Sequence, residues 1–83
     1  MTEYDAEDTG LRIRELRLKE KLKQSELADA IGVARNTLSQ YESGDSKMSI
    51  PVLMKLSQEL YTTTDFLLGL TDNPKSNAEN RSG

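Results

Sequence analysis

The most constraining feature of the sequence is a three-residue connection between two short stretches with helical periodicity. Residues 24–31 and residues 35–42 each place apolar side chains three or four positions apart, and only residues 32–34 separate them. Gly32 opens the connection, and glycine most readily adopts the positive φ needed to leave a helix. A connection this short favours a steep crossing of the two helices, although an antiparallel hairpin has the same loop length.

The residues on both sides of this connection suit a close crossing. Ala28 offers the small side chain that such a contact needs, because protein interiors leave no room for a larger one. The apolar residues available to bury around it are Leu27, Ile31, Val33, Leu38 and Tyr41. Their joint spacing predicts a helix-turn-helix formed by the second and third helices of the chain.

The rest of the sequence predicts three more helices and no strand. Helical periodicity covers residues 7–20 and residues 50–60, and Ser49 is a suitable N-cap for the second of these. Thr63 can cap a final short turn that Gly69 closes. The predicted fold is all-α, a compact bundle of five short helices with the helix-turn-helix formed by the second and third.

Charge is distributed unevenly along the chain, whose formal net charge is −3. Residues 1–10 carry four carboxylates and no cation, whereas residues 11–70 have a net charge of +1. We divide the chain into an acidic flexible arm (1–8), a domain that holds the helix-turn-helix (9–70) and a polar flexible tail (71–83). Phosphate binding needs only a local basic face, so this distribution permits it without favouring it.

Composition excludes several classes of function. The chain has no cysteine and no histidine, which removes disulfides, thiolate metal sites and the commonest general base. No run is long and apolar enough to span a membrane, and the N-terminus lacks the pattern of a secretory leader, so we expect a cytoplasmic protein without membrane association. Without a phosphate-cradling glycine loop or an activated nucleophile, we expect no enzymatic activity, no cofactor and no metal.

The outer side of the third predicted helix carries side chains suited to reading DNA bases. Leu38 and Tyr41 mark its inner side, and rotation by about 100° per residue then defines the outer side. Arginine bonds guanine, and asparagine or glutamine bonds adenine, through two base-edge atoms at once. A face that is merely solvated more often carries glutamate and lysine, so this composition favours base readout. The outer side holds Arg35, Asn36, Ser39 and Gln40.

Five segments, spread over about 60 of the 83 residues, form a family pattern. They are IRELR at 13–17, LKQSELA at 22–28, IGV at 31–33, TLSQYESG at 37–44 and DFLLG at 65–69. Together they resemble the lambda-repressor-like family of helix-turn-helix regulators, also called the xenobiotic-response-element type. The resemblance implies a DNA-binding domain with the five-helix fold.

The resemblance also implies roles for individual residues. Gln24 matches a position whose side chain bonds a DNA phosphate beside the second helix, where free N–H groups already attract anions. Arg17 and Glu42 match a partly buried ion pair between the first and third helices, with two unrelated surface charges as the alternative. The positions that read bases are matched by Arg35, Asn36 and Gln40. The positions that contact the DNA backbone are matched by Lys23, Thr37, Ser39 and Lys47. For the two lysines, a side chain that is merely solvated is the alternative.

The sequence departs from the family at the ends of several helices. Lys21 and Tyr61 stand where glycine is common after the first and fourth helices. Lys23 and Ala34 replace the usual Ser or Thr caps of the second and third, at an expected cost of roughly 0.5–2 kcal/mol each. The acidic arm is also atypical, because DNA would repel it unless it points away. The departures at the helix ends concern local turn geometry rather than the fold.

The function implied by the resemblance is a sequence-specific transcriptional regulator, a repressor that binds a palindromic operator in double-stranded DNA as a homodimer. Leu67, Leu68 and Leu70 are the candidate dimer interface, with core packing as the alternative. The same resemblance covers antitoxins and restriction-controller-type regulators. An alternative from another class is a protein-interaction module that has kept the fold without DNA binding.

Overall fold

The structure is a computed structural model and describes residues 4–75 of the chain. All regular secondary structure in this range is helical, which confirms the predicted all-α fold. The predicted helix ends differ from the observed ones by single residues. The helices are α1 (Ala6–Lys19), α2 (Gln24–Ile31), α3 (Arg35–Ser43), α4 (Ile50–Glu59) and α5 (Thr64–Leu67).

Side-chain caps set the starts of three helices. The carboxylate of Asp5 accepts hydrogen bonds from two backbone N–H groups in the first turn of α1, at 3.0 and 3.2 Å. The predicted caps Ser49 and Thr63 accept from backbone N–H groups of α4 and α5 at 3.3 and 3.0 Å. Each such cap contributes about 1 kcal/mol. Helices α2 and α3 begin after Lys23 and Ala34 without a side-chain cap, as the sequence predicted.

Helices α2 and α3 pack against each other and against α1 and α4 around the apolar core. Ala28, the small residue predicted at the crossing, is buried with 1% of its surface exposed. Gly32 ends α2 in the left-handed conformation at φ 78°, as predicted for this turn. Each large aliphatic side chain buried in the core stabilises the fold by about 1.5–3 kcal/mol. The buried apolar residues are Ile13, Leu27, Ala28, Ile31, Leu38, Met48, Leu53, Leu56, Leu60 and Leu67.

Gly10 allows α1 to approach the main chain of α3. A Cβ atom built on Gly10 would lie 2.3 Å from the carbonyl oxygen of Tyr41 and 2.5 Å from that of Glu42. Main-chain atoms cannot rotate away as a flexible side chain can, so this contact excludes every side chain at the position. Glycine inside a helix costs about 1 kcal/mol relative to alanine. The close contact between the two helices explains why α1 nevertheless has glycine there.

Among the described residues, two besides the glycines adopt the left-handed conformation. Lys21, after α1, has φ 61°, and Tyr61, after α4, has φ 56°. Glycine is common at both positions in the family that the sequence resembles, so this chain keeps the turn geometry without the residue that suits it. The left-handed conformation costs an ordinary residue about 1–2 kcal/mol, because Cβ approaches the following carbonyl oxygen.

Residues 4–8, which belong to the predicted arm, contact the domain at Tyr4 and begin α1. The hydroxyl of Tyr4 accepts a hydrogen bond from the backbone N–H of Met48 at 2.6 Å, and its ring packs against the core. After Asp5 caps the helix, the chain from Ala6 onward belongs to α1. A cap and an aromatic contact thus connect residues 4–8 to the domain, and the division into a flexible arm and a domain stays a prediction. The first three residues lie outside the described range.

The start of the predicted tail contacts the domain. The hydroxyl of Thr62 donates a hydrogen bond to the carbonyl oxygen of Pro74 at 2.7 Å. The remainder of the tail, residues 76–83, lies outside the described residues. The division into a domain and a flexible tail stays a prediction.

The three leucines predicted as a dimer interface lie in different environments. Leu67 is fully buried among the core residues, so the interface prediction is wrong for this residue and its alternative, core packing, applies. Leu68 is half-buried and packs against the core, whereas Leu70 is 73% exposed. The candidate interface is thereby reduced to Leu68 and Leu70, for which it stays a prediction.

We predict that Gly10→Ala destabilises the protein by about 3 kcal/mol, because the added methyl group collides with main-chain carbonyls. For a domain of this size, the melting temperature should fall by more than about 10 °C. Thermal unfolding followed by circular dichroism measures this change. Gln58→Ala, an exposed helical position in α4, is the control and should change stability by less than about 0.5 kcal/mol. Equal melting temperatures for both variants would contradict the proposed backbone contact.

We further predict that Lys21→Gly stabilises the protein by roughly 0.5 kcal/mol. Relief of the left-handed strain exceeds the entropy that glycine adds to the unfolded chain. Lys19→Gly, at the last residue of α1, is the matched control and should destabilise the protein by up to about 1 kcal/mol. Urea unfolding of both variants measures the two free energies, and a loss of stability in Lys21→Gly would refute the prediction.

Candidate nucleic-acid interface

Helix α3 turns one polar side towards solvent. Leu38 is fully buried, and Glu42, one turn later, is only 8% exposed, so these two residues fix which side of the helix faces the core. Thr37 is half-buried at the edge between the two sides. The exposed side contains Arg35, Asn36, Ser39 and Gln40. The three residues predicted to read bases therefore share one exposed side of α3, as helical rotation requires.

A buried ion pair joins α1 to α3. Arg17 Nε donates to Glu42 Oε2 at 2.6 Å, and Arg17 Nη2 donates to Glu42 Oε1 at 3.1 Å. Arg17 Nη1 also donates to the carbonyl oxygen of Leu22 at 2.8 Å, in the connection between α1 and α2. Buried charges are tolerated when both partners are paired and hydrogen-bonded, and here each guanidinium nitrogen and each carboxylate oxygen has a partner. The structure brings the two predicted residues together, and the alternative of unrelated surface charges does not apply.

Gln24 extends this network to the start of α2. Its side-chain nitrogen Nε2 donates to Glu42 Oε1 at 3.0 Å. A glutamine amide nitrogen carries two hydrogens, so the second remains as a donor for another acceptor. The resemblance assigned Gln24 to a phosphate, and this role stays a prediction. What the structure adds is a contact with Glu42 that holds the amide beside α3.

A polar cleft opens at the junction of α1, α2 and α3. Its volume is about 310 Å³, and its only charged residues are two arginines and one glutamate, which leaves one net positive charge. Arg14 is exposed at this cleft, whereas Arg17 and Glu42 are paired within it. The residues lining the cleft are Arg14, Arg17, Gln24, Ser39, Glu42 and Ser43. Arg14 was not among the predicted site residues.

The two lysines predicted to contact the DNA backbone lie on either side of α3 in the sequence. Lys23 is exposed immediately before α2, and its backbone N–H donates to the carboxylate of Glu26 at 2.8 Å. Lys47 is exposed in the loop after α3, with its ammonium group 5.8 Å from the centroid of the Tyr4 ring. Their phosphate contacts, like those of Thr37 and Ser39, stay predictions.

The loop after α3 folds back on Gln40. The backbone N–H groups of Asp45 and Ser46 donate to the carbonyl oxygen of Gln40 at 2.9 and 3.3 Å. The hydroxyl of Ser46 also donates to the side-chain oxygen Gln40 Oε1 at 3.3 Å. Sequence reasoning missed Ser46 because this contact depends on the course of the loop. The only signal was a polar residue shortly after a predicted reading helix.

Two other kinds of site are absent from residues 4–75. No group of three or more acidic residues there is placed to hold a metal ion. None of the helices in that range has the length and apolar character needed to cross a membrane.

The sequence model of the helix-turn-helix family matches residues 13–67. This range begins in α1 and ends at the last residue of α5, so it contains the polar side of α3, the buried ion pair and most of the core. It covers more than half of the chain. The chain belongs to the helix-turn-helix family.

A curated relative is also named as a helix-turn-helix regulator. The uncharacterized HTH-type transcriptional regulator YobD of Bacillus subtilis is 34% identical over 70 residues, which are 84% of this chain and 62% of YobD. The chain thus spans less than two thirds of the length of that relative.

Solved structures agree as well. The restriction-modification controller protein C.AhdI from Aeromonas hydrophila matches with a TM-score of 0.72 and 32% identity, over 76% of this chain and 96% of C.AhdI. The P22 c2 repressor, solved in complex with a synthetic operator, matches with a TM-score of 0.70 and 35% identity, over 72% of this chain and 91% of the repressor.

We predict that Glu42→Gln destabilises the protein by about 3 kcal/mol, because it leaves the Arg17 guanidinium buried without a counter-charge. Glu15→Gln, an exposed position of α1, is the matched control and should change stability by less than about 0.5 kcal/mol. The double variant Arg17→Met/Glu42→Leu should recover most of the loss, since no charge is then buried. Urea unfolding measures all three, and a double variant less stable than Glu42→Gln would contradict this account.

Proposed function

We propose that this chain is a cytoplasmic, sequence-specific DNA-binding transcriptional regulator without enzymatic activity. In this proposal α3 lies in the major groove of double-stranded DNA, and the protein acts as a repressor that binds a palindromic operator as a homodimer. The observation that carries the proposal is the exposed side of α3, where Arg35, Asn36 and Gln40 lie together on the second helix of a helix-turn-helix.

The chemistry of this side suits base readout. Arginine donates two hydrogen bonds to guanine O6 and N7, and the amides of asparagine and glutamine pair with adenine N6 and N7. Arg35 and Gln40 are five residues apart, which is about 7.5 Å along the helix axis at 1.5 Å per residue. Base pairs are stacked about 3.4 Å apart, so the three side chains can address two or three neighbouring pairs.

The cleft beside α3 supports a phosphate contact next to the bases. Gln24 has one amide hydrogen left after its bond to Glu42, and Arg14 adds an exposed positive charge. Contacts to phosphate fix the position and register of a protein on the duplex, while base contacts supply the sequence preference. In the proposed complex, the cleft holds a phosphate of the strand that borders the groove.

A homodimer follows from the limited affinity of one module. Single helix-turn-helix domains contact few base pairs, and two-fold dimers read two half-sites about one helical turn apart. The similarity to the P22 c2 repressor, solved with a synthetic operator, supports a repressor on an operator. Leu70, which is 73% exposed, and the half-buried Leu68 are the proposed interface residues.

A narrower version of the same function is favoured by one comparison. The similarity to the controller protein C.AhdI extends over 96% of that chain, so a restriction-controller-type regulator is the second candidate. The two candidates share the DNA-reading helix and differ in the genes that they regulate. Identification of the bound operator sequence distinguishes them.

We predict that selection from a random pool of double-stranded DNA yields one preferred sequence with two-fold symmetry. Arg35→Ala and Gln40→Ala should each lose the preference at particular base pairs, at about 1–3 kcal/mol per lost contact, while circular dichroism stays native. Arg12→Ala is the matched control, because its guanidinium lies beside Gly69, after α5, rather than on α3. Unchanged preferences in both α3 variants would refute the reading side.

Gln24→Ala provides the contrast in the same experiment. Loss of a phosphate contact should weaken binding about equally on every sequence, since phosphates carry no sequence information. Affinity of the wild-type protein should fall steeply with salt, because each neutralised phosphate releases counterions. A protein that binds no DNA at about 50 mM salt would instead be an interaction module that has kept the fold.

A further inference from the structure

The loop between α3 and α4, residues 44–49, connects the reading helix to the N-terminal arm. At one end it contacts Gln40 through Ser46, and at the other end it contacts Tyr4 through Met48. Neither Tyr4 nor Ser46 has a role in the proposed function. Ser46 contacts the predicted base-reading residue Gln40 directly, and Tyr4 contacts the same loop two residues further along the chain.

The contact with Gln40 restricts a group that would otherwise rotate. The terminal torsion of a glutamine side chain is broad and roughly two-fold, so an exposed amide presents either its oxygen or its nitrogen to a partner. The hydroxyl of Ser46 donates to Gln40 Oε1 at 3.3 Å, which turns that oxygen towards the loop. The two hydrogens on Gln40 Nε2 are then the part of the amide left to face a base.

The contact with Tyr4 restricts the loop itself. The hydroxyl oxygen of Tyr4 accepts the backbone N–H of Met48 at 2.6 Å, and the Lys47 ammonium lies 5.8 Å from the ring centroid. A cation at that distance is attracted to the negative face of the ring. Because Tyr4 packs against the core, the loop is held to the body of the domain rather than to solvent. Ser46, two residues before Met48, is thereby held next to Gln40.

We propose that Ser46 is a positioning residue for base readout, and that Tyr4 supports it by holding the loop. Ser46 orients the Gln40 amide before DNA arrives, so less ordering is needed on binding and one amide orientation is favoured over the other. This inference rests on the proposed function, because Gln40 must contact a base. It assigns Tyr4 a supporting role in the interface, although the acidic segment in which Tyr4 lies would by its net charge be repelled by DNA.

The test is the sequence preference of each variant, measured by selection from a random pool of double-stranded DNA. Gln40→Ala first identifies the base pair that Gln40 contacts. Ser46→Ala should then reduce the preference at that base pair by about two- to fivefold, the effect of one neutral hydrogen bond, and leave other positions unchanged. Tyr4→Phe keeps the ring and removes the hydroxyl, and it should reduce the preference at the same base pair.

Ser57→Ala is the matched control. Its hydroxyl donates to the carbonyl oxygen of Met54 at 2.7 Å within α4, so the substitution removes a serine hydroxyl bond away from α3. It should leave every base preference unchanged. Melting curves of all variants separate loss of preference at one base pair from a general loss of folding.

A double variant decides between positioning and direct contact. In the Gln40→Ala background, Ser46→Ala should change nothing further, because a residue that acts only through Gln40 has no effect in its absence. An additional loss in that background would overturn the inference, since it would show that Ser46 contacts DNA itself. An unchanged preference in Ser46→Ala alone would also overturn it. If the wild-type protein selects no sequence, the proposed function fails before any variant is compared, and this inference fails with it.

Discussion

The buried pair of Arg17 and Glu42 determines how α3 is presented. Three donors converge on the Glu42 carboxylate, two from Arg17 on α1 and one from Gln24 on α2. Because a buried carboxylate without partners would cost several kcal/mol, α3 cannot rotate about its axis without losing them. Leu38, one turn earlier, fixes the same side of the helix towards the core. The outward direction of the other α3 side chains is a consequence of these two inward ones.

Two further constraints hold α3 along its length. Gly10 lets the main chain of α1 touch the last turn of α3, so the distance between the two helices is set by backbone atoms rather than by adjustable side chains. Beyond Gly44, the following loop returns to bond Gln40 and is itself held by Tyr4. A helix of nine residues would be marginal by itself in water, and its stability therefore derives from these contacts.

The parts of this structure that were predictable from the sequence depend on local signals. Helix limits and the caps Ser49 and Thr63 follow from periodicity and from side-chain bonds within a few residues. The site residues Arg17 and Glu42 were assigned through resemblance, because their partnership spans 25 positions and no local rule connects them. The sequence left Leu67 open between core packing and a dimer interface and did not indicate the contact of Tyr4, since both depend on packing against distant elements.

The division of α3 into an inner and an outer side has a consequence for how such a protein can diverge. Leu38 and Glu42 carry the attachment to the domain, whereas Arg35 and Asn36 are exposed. Surface substitutions away from structural contacts change stability by less than about 0.5 kcal/mol. New side chains can therefore appear at the exposed positions while the domain remains folded. In the proposed DNA-binding role, the base preference can change through these exposed residues, because other residues attach the helix to the domain.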